Sequence, residues 1–212
     1  MVGQCSLIEE VELLRERCRK LEELSFVDAL TGLFNFRYMQ RALEMEMERS
    51  RRTKLPTGLI MLDLDHFKNV NTVYGHEGGN VVLAHLGKLL KESVRVIDIP
   101  CRYGGEEFAL ILPNASTFQA TSIAKRLREL VRERPVEIGA QTLPISASFG
   151  VAVFRHTDED TLNSFISRAD RLLYEAKSAG RDRICAEQPP AVSMAEEVSV
   201  DEKSALFFKG DE

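Results

Sequence analysis

Apolar residues recur every three or four positions along residues 4 to 28, at Leu7, Val11, Leu14, Cys18 and Leu21. In heptad terms Val11 and Cys18 take a positions and Leu7, Leu14 and Leu21 take d positions, with charges filling most of the rest. The pattern predicts a helix suited to a short parallel coiled coil, or alternatively to packing on its own domain. The body of the protein begins near Asp28. Residues 36 to 52, rich in Arg, Glu and Met, predict a second helix, which Pro56 and Gly58 break. Leu59 to Leu62 is an unbroken apolar run, as a strand covered on both faces requires. His66 to Asn80 reads as a polar turn region, and the VVLAHLGKLLKESV that follows reads as an amphipathic helix. Pro100 to Tyr103, Gly104-Gly105 and Glu106 to Leu112 predict strand, two-residue turn and strand, the glycines supplying the positive φ of a tight hairpin. A helix over about 116 to 134, a strand over 145 to 154, a helix over 160 to 179 and a short strand at Arg183 to Cys185 complete the order α-β-α-β-β-α-β-α-β. Helices alternating with strands around one hairpin imply an α/β (α+β) fold: a mixed five-stranded sheet flanked by helices, with a ferredoxin-like core. The chain thus divides into an N-terminal helix (1–27), a folded domain (28–185) and a C-terminal tail (186–212).

Composition sharpens this division. Hydrophobic residues make up 44% and charged residues 29% of the 212, which excludes wholesale disorder. No apolar run is long enough to span a bilayer, and the N-terminus turns charged without an apolar signal core, so a cytoplasmic chain with no membrane segment is expected. Four widely spaced cysteines, Cys5, Cys18, Cys101 and Cys185, form no CxxC pair and read as reduced thiols rather than a disulfide or zinc framework. The formal charge is −5. The tail from Ala186 onward holds seven acids and two lysines and carries all of that charge, so residues 1–185 are neutral. A neutral domain argues against nucleic acid as a partner, and any phosphate binding must be local. Pro189-Pro190 and scattered acids mark the tail as flexible; its one apolar cluster is Ala205 to Phe208.

The candidate chemistry lies at two strand ends. Asp63 and Asp65 close the apolar strand, and alternation puts both on one face. Glu106 and Glu107 follow the hairpin glycines; adjacent strand residues point oppositely, so one of the two is expected to share the face of Asp63. Carboxylates at the mouth of a buried strand need a partner or a cation. Acidic ends of adjacent strands suit hard divalent cations with oxygen ligands, and such sites carry out phosphoryl or nucleotidyl transfer. Lys68, Lys177 and Arg181 are candidate triphosphate ligands, the latter two expected on one face of the last helix. Each lysine taken alone reads as an inert, solvated surface charge; together with the paired acidic strand ends they form a plausible triphosphate clamp. No GxxxxGK[ST] occurs, so a P-loop is excluded.

These residues carry a resemblance. Arg102-Tyr-Gly-Gly-Glu-Glu-Phe108 resembles the signature of the GGDEF family in its GGEEF form. Asp28-Ala-Leu-Thr-Gly-Leu-Phe-Asn35 is similar to the family's DxLTGLxN, and Asp63-Leu-Asp-His-Phe-Lys-Asn-Val-Asn71 to its DxDxFKxxN, continued by Gly75-His76 and Gly79. Ser148 to Ala152, and Ala169-Asp170 with Tyr174 to Lys177 and Gly180-Arg181, fit the last two blocks. The resemblance covers residues 28–185. It implies a palm-like fold shared with nucleotide cyclases and synthesis of cyclic di-GMP from two GTP. It implies two Mg²⁺ or Mn²⁺ ions per half-site, held by Asp63, the Leu64 carbonyl, Glu106 and Glu107. Glu106, Glu107 and Lys68 are the implied catalytic residues, with Glu107 assisting the metal or deprotonating the attacking 3′-hydroxyl. Lys68, Lys177 and Arg181 would grip phosphates, the Phe67 and Lys68 amides would cradle the terminal phosphates, and Asn71 and Asn80 would read the base. Arg95-Val-Ile-Asp98, five residues before Gly104, has the spacing of the family's RxxD product-inhibition site; the plainer alternative is a surface ion pair. Two half-sites must meet across a two-fold axis to join two nucleotides, so a homodimer is expected, assisted by the N-terminal coil and open to an upstream sensor.

Three positions depart from the family pattern. Phe36 replaces a common arginine, Thr72 replaces the aspartate that usually follows Asn71, and Asn80 stands where aspartate is usual. The last bears on substrate. An ionised aspartate accepts from both guanine N1–H and the 2-amino group, whereas asparagine offers one acceptor and one donor, an edge that also complements adenine. Asn80 alternatively caps the helix that begins at Val81. The leading reading is a GTP-using cyclase. The runners-up are a dinucleotide cyclase that also takes ATP to make cyclic AMP-GMP, and a catalytically silent receptor for GTP or cyclic di-GMP.

Overall fold

The computed structural model describes Arg15 and residues 26–188. The expected coiled coil and the body of the acidic tail lie outside the described residues. The described elements run α1 (Phe36–Thr53), β1 (Thr57–Leu64), α2 (Phe67–Ser93), β2 (Ile99–Arg102), β3 (Glu107–Pro113), α3 (Thr117–Glu133), β4 (Val136–Ile138), β5 (Gln141–Leu143), β6 (Ala147–Phe154), α4 (Leu162–Ser178) and β7 (Ile184–Ala186). Five strands form a mixed sheet in the order β2-β3-β1-β6-β7. β1 is antiparallel to both β3 and β6, and the β6–β7 pair is parallel.

β1 lies at the centre of the sheet, and all eight of its residues are buried. That is why it reads as a continuous apolar run. Its side chains alternate between two hydrophobic layers. Ile60, Leu62 and Leu64 join Val82 and Leu86 of α2 and Leu127 of α3. Leu59 and Met61 join Met39 and Leu43 of α1 and Phe165 and Leu173 of α4. Asp63 continues the second register, so its carboxylate emerges toward α4. Local signals set the helix starts: Asn35 accepts from the Tyr38 amide at 3.1 Å, and Ser116 with Gln119 forms a reciprocal capping box.

The structure corrects several expectations. The polar stretch from His66 to Asn80 is not a turn region: the chain is helical from Phe67, kinked at Gly75 (φ 69°, ψ 177°), and continues to Ser93. Its apolar stripe is concealed because glycines occupy buried positions, Gly78 and Gly79. A Cβ on Gly79 would collide with the Asn71 amide and lie 3.2 Å from Phe67 Cζ. Asn80 therefore sits inside a helix and does not cap one. The Gly104-Gly105 hairpin is a four-residue connection (103–106), not a two-residue turn, and neither glycine has a positive φ. A two-stranded β4–β5 hairpin, turned by Gly139 (φ 63°), was not expected, because its three-residue strands are too short to show a period. β7 extends to Ala186, and the Glu187 carboxylate accepts from the Val153 amide at 3.1 Å, so the ordered contacts run past position 185.

Candidate active site

The β1–β3 register places Asp63 directly opposite Glu107. Cross-strand partners share a face, so Glu107 is the strand residue on the side of Asp63. Glu106 is in the connection, where alternation does not apply, and its carbonyl accepts from the Leu64 amide at 3.4 Å. Glu106 lines the same cleft as Asp63, Leu64, Phe67, Lys68, Lys177 and Arg181, a space of about 250 Å³. Glu107 thus shares the face of Asp63 through the strand register, and Glu106 reaches the same cleft from the connection. Burial raises the pKa of Asp63, and Glu107 and Asp65 push it further up, against the opposing ammonium of Lys177. Burial likewise raises Glu106, with Asp63 and Glu107 adding repulsion and Lys177 opposing. Asp170, on α4, joins this field: burial and Glu107 raise it while Lys177 opposes. Sequence reasoning did not assign Asp170 a place here; an acid one helical turn from Tyr174 and two from Lys177 was the available signal.

The connection 103–106 is held from both sides. The Tyr103 and Gly104 amides donate to the Glu107 carbonyl at 2.8 and 3.1 Å. Arg102 donates to the Gly104 and Gly105 carbonyls, at 3.1 Å from Nε and 2.8 Å from Nη2, and reaches both oxygens of Asp28 at 3.3 and 3.1 Å. Burial alone would raise the Asp28 pKa, but hydrogen bonds from the Thr31 hydroxyl and amide and the Arg102 guanidinium outweigh it and hold it below its ordinary value. The two motifs 74 residues apart are therefore one structural unit, a role for Asp28 and Arg102 that sequence reasoning missed.

Lys177 meets Asp63 at 2.7 Å. Arg181 lies beyond the end of α4 in a left-handed backbone (φ 57°), so the expectation of a shared helix face with Lys177 is corrected; the two converge on the cleft through the turn instead. Lys68 is exposed near the start of α2, with Phe67 buried beside it. Asn71 packs over Gly79, next to the exposed Asn80. Arg95 and Asp98 pair with each other: guanidinium Nη2 to Oδ1 at 2.9 Å, Nε to Oδ2 at 3.1 Å, and the Arg95 amide to Oδ2 at 2.9 Å. The Asp98 side chain is 1% exposed and that of Arg95 48%.

The donor set suits a hard divalent cation. It is all oxygen, burial followed by repulsion from neighbouring carboxylates raises the pKa of Asp63 and Glu106, and a lysine ammonium sits against its most buried carboxylate. Among the described residues no three acidic side chains already surround a common ligand position. The pH dependence follows from the raised values. The folded state holds protons on Asp63, Glu106 and Asp170 more tightly than the unfolded state does, so stability falls as pH rises through those values, and the whole cost is present above them. A bound cation offsets that cost only while the carboxylates are ionised. The rise in melting temperature caused by Mg²⁺ or Mn²⁺ is expected to be greatest near neutral pH and to shrink as pH falls into the ordinary carboxylate range. A cation effect independent of pH would contradict this site.

Comparison with known proteins points the same way. The family described as "Diguanylate cyclase, GGDEF domain" matches residues 25–183. The chain is 37% identical over 175 residues to the response regulator PleD of Caulobacter vibrioides, covering 82% of this chain and 38% of that protein. It is 38% identical over 178 residues to diguanylate cyclase VdcA of Vibrio cholerae, covering 82% and 51%. The chain thus spans about two fifths to half the length of these curated relatives. Among solved structures, diguanylate cyclase SiaD of Pseudomonas aeruginosa, in complex with its activator SiaC, superposes with a TM-score of 0.74 at 35% identity, over 88% of this chain and 72% of that one. The coiled coil and GGDEF domain of DgcB from Caulobacter crescentus, in complex with c-di-GMP, gives 0.73 at 26% identity, over 88% and 98%. No described helix is long and apolar enough to cross a membrane.

Proposed function

The chain belongs to the GGDEF diguanylate cyclase family, and on that premise we propose that it condenses two GTP molecules into cyclic di-GMP in the cytoplasm, releasing two pyrophosphates. The observation that carries this reading is the cleft where Asp63 and Glu106 meet Lys177 and Arg181, with Glu107 paired across the sheet from Asp63. Lys68, Lys177, Arg181 and the Phe67 and Lys68 amides bind the polyphosphate, and Asn71 and Asn80 contact the base. Glu107 takes the proton of the attacking 3′-hydroxyl as that oxygen bonds to the α-phosphorus of the second nucleotide and the bond to pyrophosphate breaks. Asp63, the Leu64 carbonyl, Glu106 and Glu107 would hold the two divalent cations of each half-site, which would neutralise charge on the phosphates and lower the pKa of the attacking hydroxyl. One domain binds one GTP, so the reaction requires a homodimer in which two clefts face each other, and the heptads of residues 1–27 supply the local concentration.

Product inhibition is proposed at Arg95 and Asp98. The exposed guanidinium is available to phosphate, and a ligand that takes both residues must open their mutual pair. Arg95→Ala is expected to raise the cyclic di-GMP concentration that halves the rate by about tenfold or more. An unchanged value in a titration of product into the assay would remove the site.

A second reading, use of ATP beside GTP, is favoured by Asn80, which is exposed within α2 rather than spent as a cap. Incubation with Mg²⁺ and GTP, ATP or both, followed by chromatographic separation, decides between them. Cyclic di-GMP as the sole product of the mixture would reject the second reading, and nucleotide binding without any product would favour a silent receptor. Asn80→Asp is expected to shift the preference for GTP over ATP by about tenfold, the worth of one charge-assisted hydrogen bond. An unchanged ratio would refute this account of position 80.

A further inference from the structure

Gly180, Arg181 and Asp182, which follow α4, all have left-handed backbones (φ 111°, 57° and 45°). Glycine adopts this conformation freely, but two successive residues with side chains do not, so the surrounding structure must hold them there. The contacts that do so are specific. The Asp182 amide donates to Asp65 Oδ2 at 3.0 Å. The Asp182 carboxylate is met by Arg128 Nε at 3.1 Å and Arg132 Nε at 3.5 Å, both from α3. The Arg181 amide donates to the Ala176 carbonyl at 3.1 Å.

Asp65 is itself fixed. Ser146 and Ser148 each donate a hydroxyl to its carboxylate at 2.7 Å, and its amide donates to the Ser146 carbonyl at 2.9 Å. Its oxygens thus accept three hydrogen bonds from the chain, which separates its role from that of Asp63 two residues earlier. One carboxylate ties the end of β1, the start of β6 and the turn after α4 together. That tie brings Arg181 into the cleft with Asp63 and Glu106 even though it has left the helix that carries Lys177.

We propose that Asp65 and Asp182 are positioning residues for the nucleotide. They hold the 180–182 turn in its left-handed form so that the Arg181 guanidinium is aimed at the polyphosphate; Asp65 borders the cleft, but its oxygens are already taken by Ser146, Ser148 and the Asp182 amide. Through Arg128 and Arg132, α3 becomes part of the same support. The inference rests on the GTP site proposed above, and the test separates the two. Binding of the α,β-methylene analogue of GTP with Mg²⁺ is measured by calorimetry, alongside half-saturating GTP and saturated turnover. Asp182→Ala is expected to weaken analogue binding and raise half-saturating GTP by about tenfold, with saturated turnover within about threefold of the parent. In an Arg181→Ala background the same change is expected to add less than about twofold, because the group it positions is gone.

Equal losses in both backgrounds, or a fall in turnover with unchanged binding, overturn the proposal. If Asp182→Ala does not fold, the surface double variant Arg128→Gln/Arg132→Gln carries the same expectation at about threefold, with the same vanishing in the Arg181→Ala background. Parent protein that fails to bind the analogue refutes the GTP reading and the positioning with it. Parent protein that binds, combined with an additive cycle, refutes the positioning alone.

Discussion

Replacing Glu107 by glutamine is expected to lower turnover at saturating GTP by at least about a thousandfold, combining the loss of a general base with the loss of a metal-facing carboxylate. Glutamine keeps the size of the side chain but cannot take the hydroxyl proton, and it presents a neutral amide where a cation would gain from a charged carboxylate oxygen. The accompanying stability change distinguishes lost chemistry from lost fold. Glu107 contributes to the raised pKa of Asp63, Glu106, Asp170 and the Tyr103 hydroxyl. Removing its charge relieves repulsion among groups that the fold already holds close, so without metal the melting temperature should stay level or rise. An inactive variant that is as stable as its parent is the signature of a site that trades stability for function. Turnover within tenfold of the parent would remove Glu107 from the assigned role.

Gly150→Ala is expected to destabilise the domain by about 3 kcal/mol or more, at the upper end of what overpacking costs. Gly150 pairs with Met61 in the middle of the sheet. A Cβ there would strike the Ala169 carbonyl and the Leu173 amide, with Leu173 Cα at 2.9 Å. These are backbone atoms of α4, and no rotamer change moves them away. The helix would have to lift off β6, taking Asp170 and Lys177 with it, so loss of nucleotide binding should follow the loss of stability. Gly58→Ala is the matched control. Its new Cβ would meet the Cβ atoms of Ala120 and Leu112 at 3.2 and 3.3 Å, contacts that a few tenths of an ångström relieve. Urea unfolding that ranks the two variants equal would contradict this account of α4 packing.

The legibility of this chain varies with the kind of interaction. β1 announced itself because a central strand has two buried faces. The 66–80 segment is not legible as a helix because glycine takes the place of buried side chains there, leaving no apolar stripe to count. Glu106 escapes the alternation rule because the connection ends one residue later than the glycines suggest, and β3 begins only at Glu107. Spacing alone cannot show that the backbone turns left-handed three residues after Lys177, which takes Arg181 off the helix.

The amino-acid order by itself determined the element types of most of the domain, the acidic strand ends and the residues that mark the family, because these depend on periods and motifs a few residues long. Only the tertiary structure decided which carboxylate serves which purpose: Asp63 open to the cleft against Lys177, Asp65 consumed in hydrogen bonds to β6 and the 180–182 turn, and Asp28 latched to Arg102. Side chains of one type differ in charge state and availability through burial and through partners many residues away, and those partners are assigned by strand register and backbone conformation rather than by any local pattern.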